Sequence, residues 1–416
     1  MRKKILVSRA FPKTRLVSGK ALEKTVKSPF FPLNLRLLSQ KLKFWESLSL
    51  YIIFLSLSCV PAFAQRQADR PYWYTLERGK LFFRSGDYGE ALMAFEEARD
   101  QRRAMYTRME EDIITLLSIP EVRRMGDSLE LIEPYIAERG HIDAAAALAE
   151  LYYRVPRESL KDSALAALEA ISRFKDFPDA EYWIGEAYRV EGELGIALRQ
   201  YEKAYEQRAL LETPGFDLEI LYKIVDIHRI RQEYTAMEER LLEILKRDTL
   251  WSEDSSSFVR TAMMRTLENE GVSRFLTLYR YNNQDVERAH RLLGLYYHAL
   301  GRDNRGVEHL LFAFLIQNSV MIEEIIRIQF DFSFTTLDIL IAQTPRRPIL
   351  LSYIKEVEYY KTIYYLGTSL NGSGRLSPAR ELWAFLSLRG AAAGEWSTRA
   401  AAQLRLPFQE RAVEMP

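Results

Sequence analysis

Along residues 179–205 (DAEYWIGEAYRVEGELGIALRQYEKAY) apolar side chains recur with the period of an α-helix, twice over. Ala180, Ile184 and Tyr188 share one face at i, i+4 spacing, and Leu194, Ala197, Leu198, Tyr201 and Ala204 share another at i, i+3, i+4, i+7. Glu191-Gly192-Glu193 between them reads as a tight turn. The pattern therefore predicts two helices, each with one apolar stripe, folded back on one another. Gly185 and Ala197 are the small residues that let the axes approach, and Tyr188 and Tyr201 fill the space beside them. A glycine inside a helix costs about 0.5–1 kcal/mol against alanine, so Gly185 predicts a packing reason.

The pattern returns along the chain. Gly79, Phe82, Gly86, Tyr88, Ala91, Phe95 and Ala98 repeat it, as do Leu293-Gly294, Tyr297, Gly301, Gly306, Leu310 and Ala313, and again Leu366-Gly367, Gly374, Leu376, Ala379 and Trp383. More worn pairs are expected at 142–173, parted at Val155-Pro156, with Ala164, Leu168 and Ile171 on the second stripe. Others are expected at 218–246 around Gln232-Glu233 and at 258–281 around Gly271. Two plain helices split near Pro120 are expected over 104–138, and further helices at 321–330, 335–342 and 349–365. The small residue opening each second helix falls at Ala91, Ala164, Ala197, Met237, Gly306 and Ala379, with separations of 73, 33, 40, 69 and 73. Those spacings approximate two, one, one, two and two units of a period of about 34 residues. A helical bundle without repeats is the competing reading.

The order Ile184-Gly185, Tyr188, Gly192, Ala197, Tyr201, Ala204 resembles the tetratricopeptide repeat, whose signature has Leu-Gly, then Tyr, Ala, Phe and Ala at these spacings. Glu181 stands where that family usually has tryptophan, with Trp183 nearby, and the closing proline is missing. The resemblance implies an all-α fold, an α-solenoid of antiparallel helix pairs, several of them degenerate. It would comprise an N-terminal part over 71–138, a central array over 142–281, a C-terminal array over 286–390, and a capping helix and loose tail over 391–416. In such arrays the first helix of each pair lines a concave groove. Its exposed stripe lies six and three residues before the motif glycine and one and four after it. Carried onto this chain, the stripe implies a partner-binding groove of Trp73, Leu76, Lys80 and Phe83, then Asp179, Tyr182, Glu186 and Arg189, then Arg288, Arg291, Leu295 and His298. The Lys/Asn pattern by which some relatives clamp a terminal carboxylate is absent, because Leu76, Tyr182 and Arg291 stand at one key position and Lys80, Glu186 and Leu295 at the next.

Charge and composition add a leader. Residues 1–64 hold twelve Lys or Arg against Glu23 and Glu46, which leaves the remainder at 46 basic and 55 acidic residues, a net charge of −9. That balance argues against nucleic acid as a partner. The ten-residue apolar run Leu48 to Leu57 follows Lys41 and Lys43 and precedes Pro61-Ala62-Phe63-Ala64. These are the parts of a secretory signal, with cleavage expected between Ala64 and Gln65 and an exported, periplasmic product. The alternatives are an uncleaved anchor over 44–63 and lipidation at Cys59, the one cysteine of the chain. The basic stretch ahead of the run reads either as an over-long start or as an unusually long basic region.

Signals for chemistry are thin. His141, His228, His290, His298 and His309 form no His-x-x-x-His pair and read as surface or groove residues. Neighbouring carboxylates such as Glu96-Glu97 point about 100° apart on a helix and read as solvated faces. Asn371-Gly-Ser-Gly374 has no lysine after it and reads as a turn rather than a phosphate loop. Adjacent aromatics such as Tyr182-Trp183, Tyr296-Tyr297 and Tyr364-Tyr365 are assigned to packing between helices. No catalytic, cofactor or metal site is expected. The function expected is a non-enzymatic scaffold that binds a protein or peptide partner, possible work in cell-envelope assembly included. A small-ligand or transporter-accessory binding protein is the alternative.

Overall fold

The computed structural model describes residues 71–118, 171–252 and 256–413, and every regular element among them is helical. The α-helices longer than four residues are α1 (Tyr72–Ser85), α2 (Tyr88–Ser118), α3 (Pro178–Val190), α4 (Leu194–Glu206), α5 (Phe216–Ile230), α6 (Tyr234–Leu245), α7 (Ser256–Leu278), α8 (Gln284–Ala299), α9 (Asp303–Ile328), α10 (Leu337–Ile341), α11 (Pro348–Glu356), α12 (Tyr359–Gly372), α13 (Leu376–Ser387) and α14 (Glu395–Arg405). The leader over 1–64 with its cleavage, anchor and lipidation readings lies outside the described residues, and so do the split at Pro120, the rest of 119–138 and nearly all of the pair at 142–173.

Four helix pairs share one seat. A Cβ added to Gly79 would lie 2.5 Å from the Phe95 ring, to Gly185 2.8 Å from Tyr201, to Gly294 2.5 Å from Leu310, and to Gly367 2.7 Å from Trp383. In each pair the large side chain stands four residues after the small one, namely Ala91, Ala197, Gly306 and Ala379, so it leans back onto the facing helix where that helix has no side chain. In α5 and α6 the corresponding positions hold Val225 and Leu241, both fully buried in one core.

Packing runs sequentially from α1 to α6, then from α6 directly to α8, and onward through α9, α12, α13 and α14. Two stretches leave that order. The pair expected at 258–281 is present as α7, broken at Gly271, but its main partner is α13 rather than α6 or α8. Glu381 on α13 accepts hydrogen bonds from the amides of Val272 (2.9 Å) and Ser273 (3.3 Å), which caps the helix restarting after Gly271. Likewise α10 packs on α7, and α11 on α12. The separations of 69 and 73 residues around Gly306 therefore enclose excursions from the sequence of packed neighbours and no intervening stacked pair.

Other boundaries also move. No break separates the first motif from residue 104, because α2 continues unbroken to Ser118. The helix expected at 321–330 is the end of α9, a 26-residue helix in which the mid-length amides donate internally, Asn318 to Phe314 O (2.7 Å) and Gln317 to Glu287 (2.6 Å). By length and composition α9 could cross a membrane, but most of its apolar window is buried inside the protein. The single helix expected over 349–365 is broken at Glu358, which adopts left-handed φ/ψ of 47° and 45°. Buried partners pin this break: Gln317 donates to Val357 O (3.0 Å), and Arg291 pairs with the Glu358 carboxylate. Residues 406–413 are not a loose tail: Glu410 O lies 2.8 Å from His298 Nε2 of α8, the Glu410 carboxylate accepts from Tyr364 of α12, and Phe408 O accepts from Gln403 of α14 (3.1 Å).

Candidate binding groove

The expected stripe residues stand near one another, but most are engaged in joining successive helices. On α1, Trp73 is half exposed, Leu76 is buried, and Lys80 lies 5.7 Å from the Trp183 ring, which also packs edge-on to Phe83. Asp179 of α3 accepts from the Glu212 amide (3.3 Å). Burial raises its pKa, opposed by that amide and by the charges of Lys80 and Arg102. Glu186 accepts from Arg189 (2.8 Å) and from the Tyr201 hydroxyl, and Lys223 of α5 lies 3.1 Å away. Burial opposes ionisation of Glu186, but those three partners outweigh it and hold its pKa below the ordinary carboxylate value. Asp226 of α5 pairs with Arg288 of α8, whose guanidinium also covers the Tyr222 ring at 5.1 Å. Arg291 pairs with Glu287 (3.2 Å) and with Glu358. The result is a ladder of opposite charges from one first helix to the next.

That ladder corrects the expectation of an exposed stripe. Tyr182, Glu186, Arg291, Leu295 and His298 are buried, and only Trp73 among the twelve candidate groove residues is largely open to solvent. Neighbouring elements cover them. Phe216 packs edge-on to Tyr182 (4.7 Å), the α11–α12 junction covers Arg291, and residues 410–411 cover His298. The histidine assignment is corrected too. His290 and His298 are fully buried and His309 is 3% exposed; His228 is buried beside Glu233 at 2.7 Å. His141 lies outside the described residues. Both members of Tyr364-Tyr365 are buried, because α12 is enclosed on several sides.

One part of this face remains open. A cleft of about 670 Å³ is lined by the 213–216 turn, by Leu218, Glu219 and Tyr222 of α5, by Gln284, Asp285, Glu287, Arg288 and Arg291 at the start of α8, and by Tyr353, Glu356 and Val357 at the end of α11. Its charges are mixed. Burial raises the Glu287 pKa, with Arg291, Gln317 and Arg288 acting against it. The Tyr353 hydroxyl has no hydrogen-bond partner among the described residues, and burial raises its pKa. Glu219 and Tyr222 were legible in principle: they stand six and three residues before Val225, where the motif glycine would be. The worn glycine hid them. Tyr353 and Glu356 carry no motif signal, since they belong to an excursion. Among the described residues no group of three or more His, Cys, Asp or Glu side chains is placed to hold a metal ion.

No family model matches the chain. It is similar to an uncharacterised protein of Treponema pallidum (strain Nichols), 24% identical over 336 residues that make up 80% of this chain and 90% of that protein. It is also similar to an uncharacterised protein of Borreliella burgdorferi, 25% identical over 164 residues, 35% of this chain and 51% of the other.

Proposed function

We propose that this chain is an exported, tetratricopeptide-like α-solenoid that holds a protein or peptide partner in the cleft between α5, α8 and α11, and that it is a non-enzymatic scaffold. Supporting the repeat reading is the seat in which a glycine receives a large side chain, found in four pairs. Supporting export is the basic and apolar leader. The observation that carries the binding reading is the cleft itself: it is open, mixed in charge, and holds both the half-exposed Arg288 and the Tyr353 hydroxyl without an internal partner.

A photo-crosslinking residue placed at Glu219, which is half exposed on the cleft wall, tests this in the native envelope fraction. One dominant adduct of defined mass is expected, reduced by Arg288→Glu at a temperature where the variant's melting curve shows it still folded. The proposal fails if no adduct forms, or if Arg288→Glu leaves the adduct unchanged. Protection of the same cleft by a metabolite panel in place of a polypeptide adduct would instead assign it to a small ligand, the role of a transporter-accessory protein.

A further inference from the structure

The other end of the same face already contains an extended peptide, which the chain supplies itself. Residues 406–413 have no regular secondary structure. Their main chain is read at two alternate positions. The buried Gln403 side chain both donates to Phe408 O (3.1 Å) and accepts from Phe408 N (2.9 Å), and His298 Nε2 lies 2.8 Å from Glu410 O. Their side chains are read at the next step. Glu410 accepts from Tyr364 and Arg399, while Arg411 donates to both oxygens of Asp303 (2.6 and 2.7 Å) and to His298 O (2.8 Å). His298 and Tyr364 stand at the stripe positions four after Gly294 and three before Gly367.

The two sides of this contact differ in burial. With the segment in place Gln403 and His298 are fully buried and Asp303 is 7% exposed, so its departure would take hydrogen-bond partners from all three. The segment, in contrast, leaves its large apolar side chains outside: Leu406 is 76% exposed and Phe408 46%. A segment held by polar contacts with little apolar burial belongs to the low-stability end of a structure and opens locally.

We propose that the face formed by α8, the start of α9, α12 and α14 is a binding site for an extended polypeptide carrying an acidic residue followed by a basic one, and that residues 406–413 fill it in cis as an exchangeable stand-in. Main-chain reading by Gln403 and His298 requires only an extended strand. The acidic–basic order is selected by Tyr364 and Arg399 on one side and Asp303 on the other. This deepens the partner-binding reading by naming the partner's chemistry, yet it concerns a different stretch of the face from the cleft at Arg288.

The test uses the full chain and a fluorescent peptide, Leu-Pro-Phe-Gln-Glu-Arg-Ala-Val. Doubly substituting Glu410→Lys and Arg411→Glu weakens the cis contact. By anisotropy the variant is expected to bind the peptide at least about tenfold more tightly than the unsubstituted protein, because its site is free for a larger fraction of the time. A peptide with Lys-Glu in place of Glu-Arg is expected to bind neither protein. Equal binding by both proteins, or equal binding of both peptides by the variant, overturns the proposal. If the variant does not fold, hydrogen exchange on the unsubstituted protein decides. The Phe408 amide should exchange through an opening that leaves α14 protected, and exchange of the two only together would show a purely structural strap. Arg288→Glu is expected to leave peptide binding unchanged, so failure here and failure at the cleft are separable.

Discussion

Acidification should weaken the seam between α8 and α9, and the size of the effect follows from two imidazoles. His290 on α8 is fully buried, with its Nδ1 3.1 Å from Nδ1 of His309 on α9. Trp251 packs on both rings, at 5.0 and 4.4 Å, Phe312 stacks on His290 and Tyr297 on His309. Burial pushes the His290 pKa down, opposed by Asp248, whose Oδ2 lies 3.6 Å from its Nε2. Burial pushes that of His309 well down, and the neighbouring charges of His290, Arg305 and Arg260 act in the same direction. A folded-state pKa below the unfolded value of about 6.5 means that the unfolded chain binds more protons as pH falls. The stabilisation is therefore complete above about pH 6.5 and is lost as pH drops toward the folded-state value. For an imidazole that stays neutral in the fold, going from about pH 7.5 to about pH 5.5 removes roughly 1.4 kcal/mol. His309 should carry the larger share, because no carboxylate attracts a proton to it. Urea unfolding followed by circular dichroism at both pH values measures this. His309→Gln will itself shift stability, but the quantity read is the difference between the two pH values, which should shrink by roughly 1.4 kcal/mol. An unchanged difference, or stability that rises on acidification, refutes the reasoning.

Three further outcomes are expected. Gly185→Ala places a methyl 2.8 Å from the Tyr201 ring and should cost about 1–3 kcal/mol, whereas Gly195→Ala in α4 meets nothing within 4 Å and should stabilise by about 0.5–1 kcal/mol; thermal melts of the two variants distinguish a packing seat from a dispensable glycine. Glu381→Ala leaves the Val272 and Ser273 amides without their carboxylate and should cost about 1–3 kcal/mol, with hydrogen exchange accelerating at those amides before it does in α13. Tyr353→Phe removes a hydroxyl that has no partner among the described residues, so the melting temperature should hold while adduct formation at Glu219 falls; a marked loss of stability would show instead that the hydroxyl serves the fold.

The stretches that the sequence described well are those whose information is local. The spacing of Gly185, Ala197 and Tyr201 determined that α3 and α4 pair and where they touch, because a helix places residues four apart on one face and a missing side chain can admit only one neighbour. The same held for Gly79 with Phe95, Gly294 with Leu310 and Gly367 with Trp383. The helix expected within 391–416 is seen as α14. The tertiary structure alone decided which pairs are neighbours. Nothing in the period of 258–281 says that Glu381, more than a hundred residues later, caps Val272 and draws α7 out of the line from α6 to α8. Nor does the pattern of 349–365 reveal that Arg291 and Gln317 hold a break at Glu358.

Burial of the stripe was hidden for a related reason. An amphipathic pattern separates one helical face from its opposite, but a charged side chain can be enclosed if a partner meets it there, and the partner comes from another helix. Arg291, Glu186 and His298 are polar by type and buried by circumstance, enclosed by Glu358, by Lys223 and Tyr201, and by Glu410 and Asp303. The sequence by itself determined the helices and the seats inside each pair, since both follow from spacings within a few turns of chain. The order of stacking, the open cleft at Arg288 and the strap over His298 were decided by the tertiary structure, because each depends on groups brought together from distant positions.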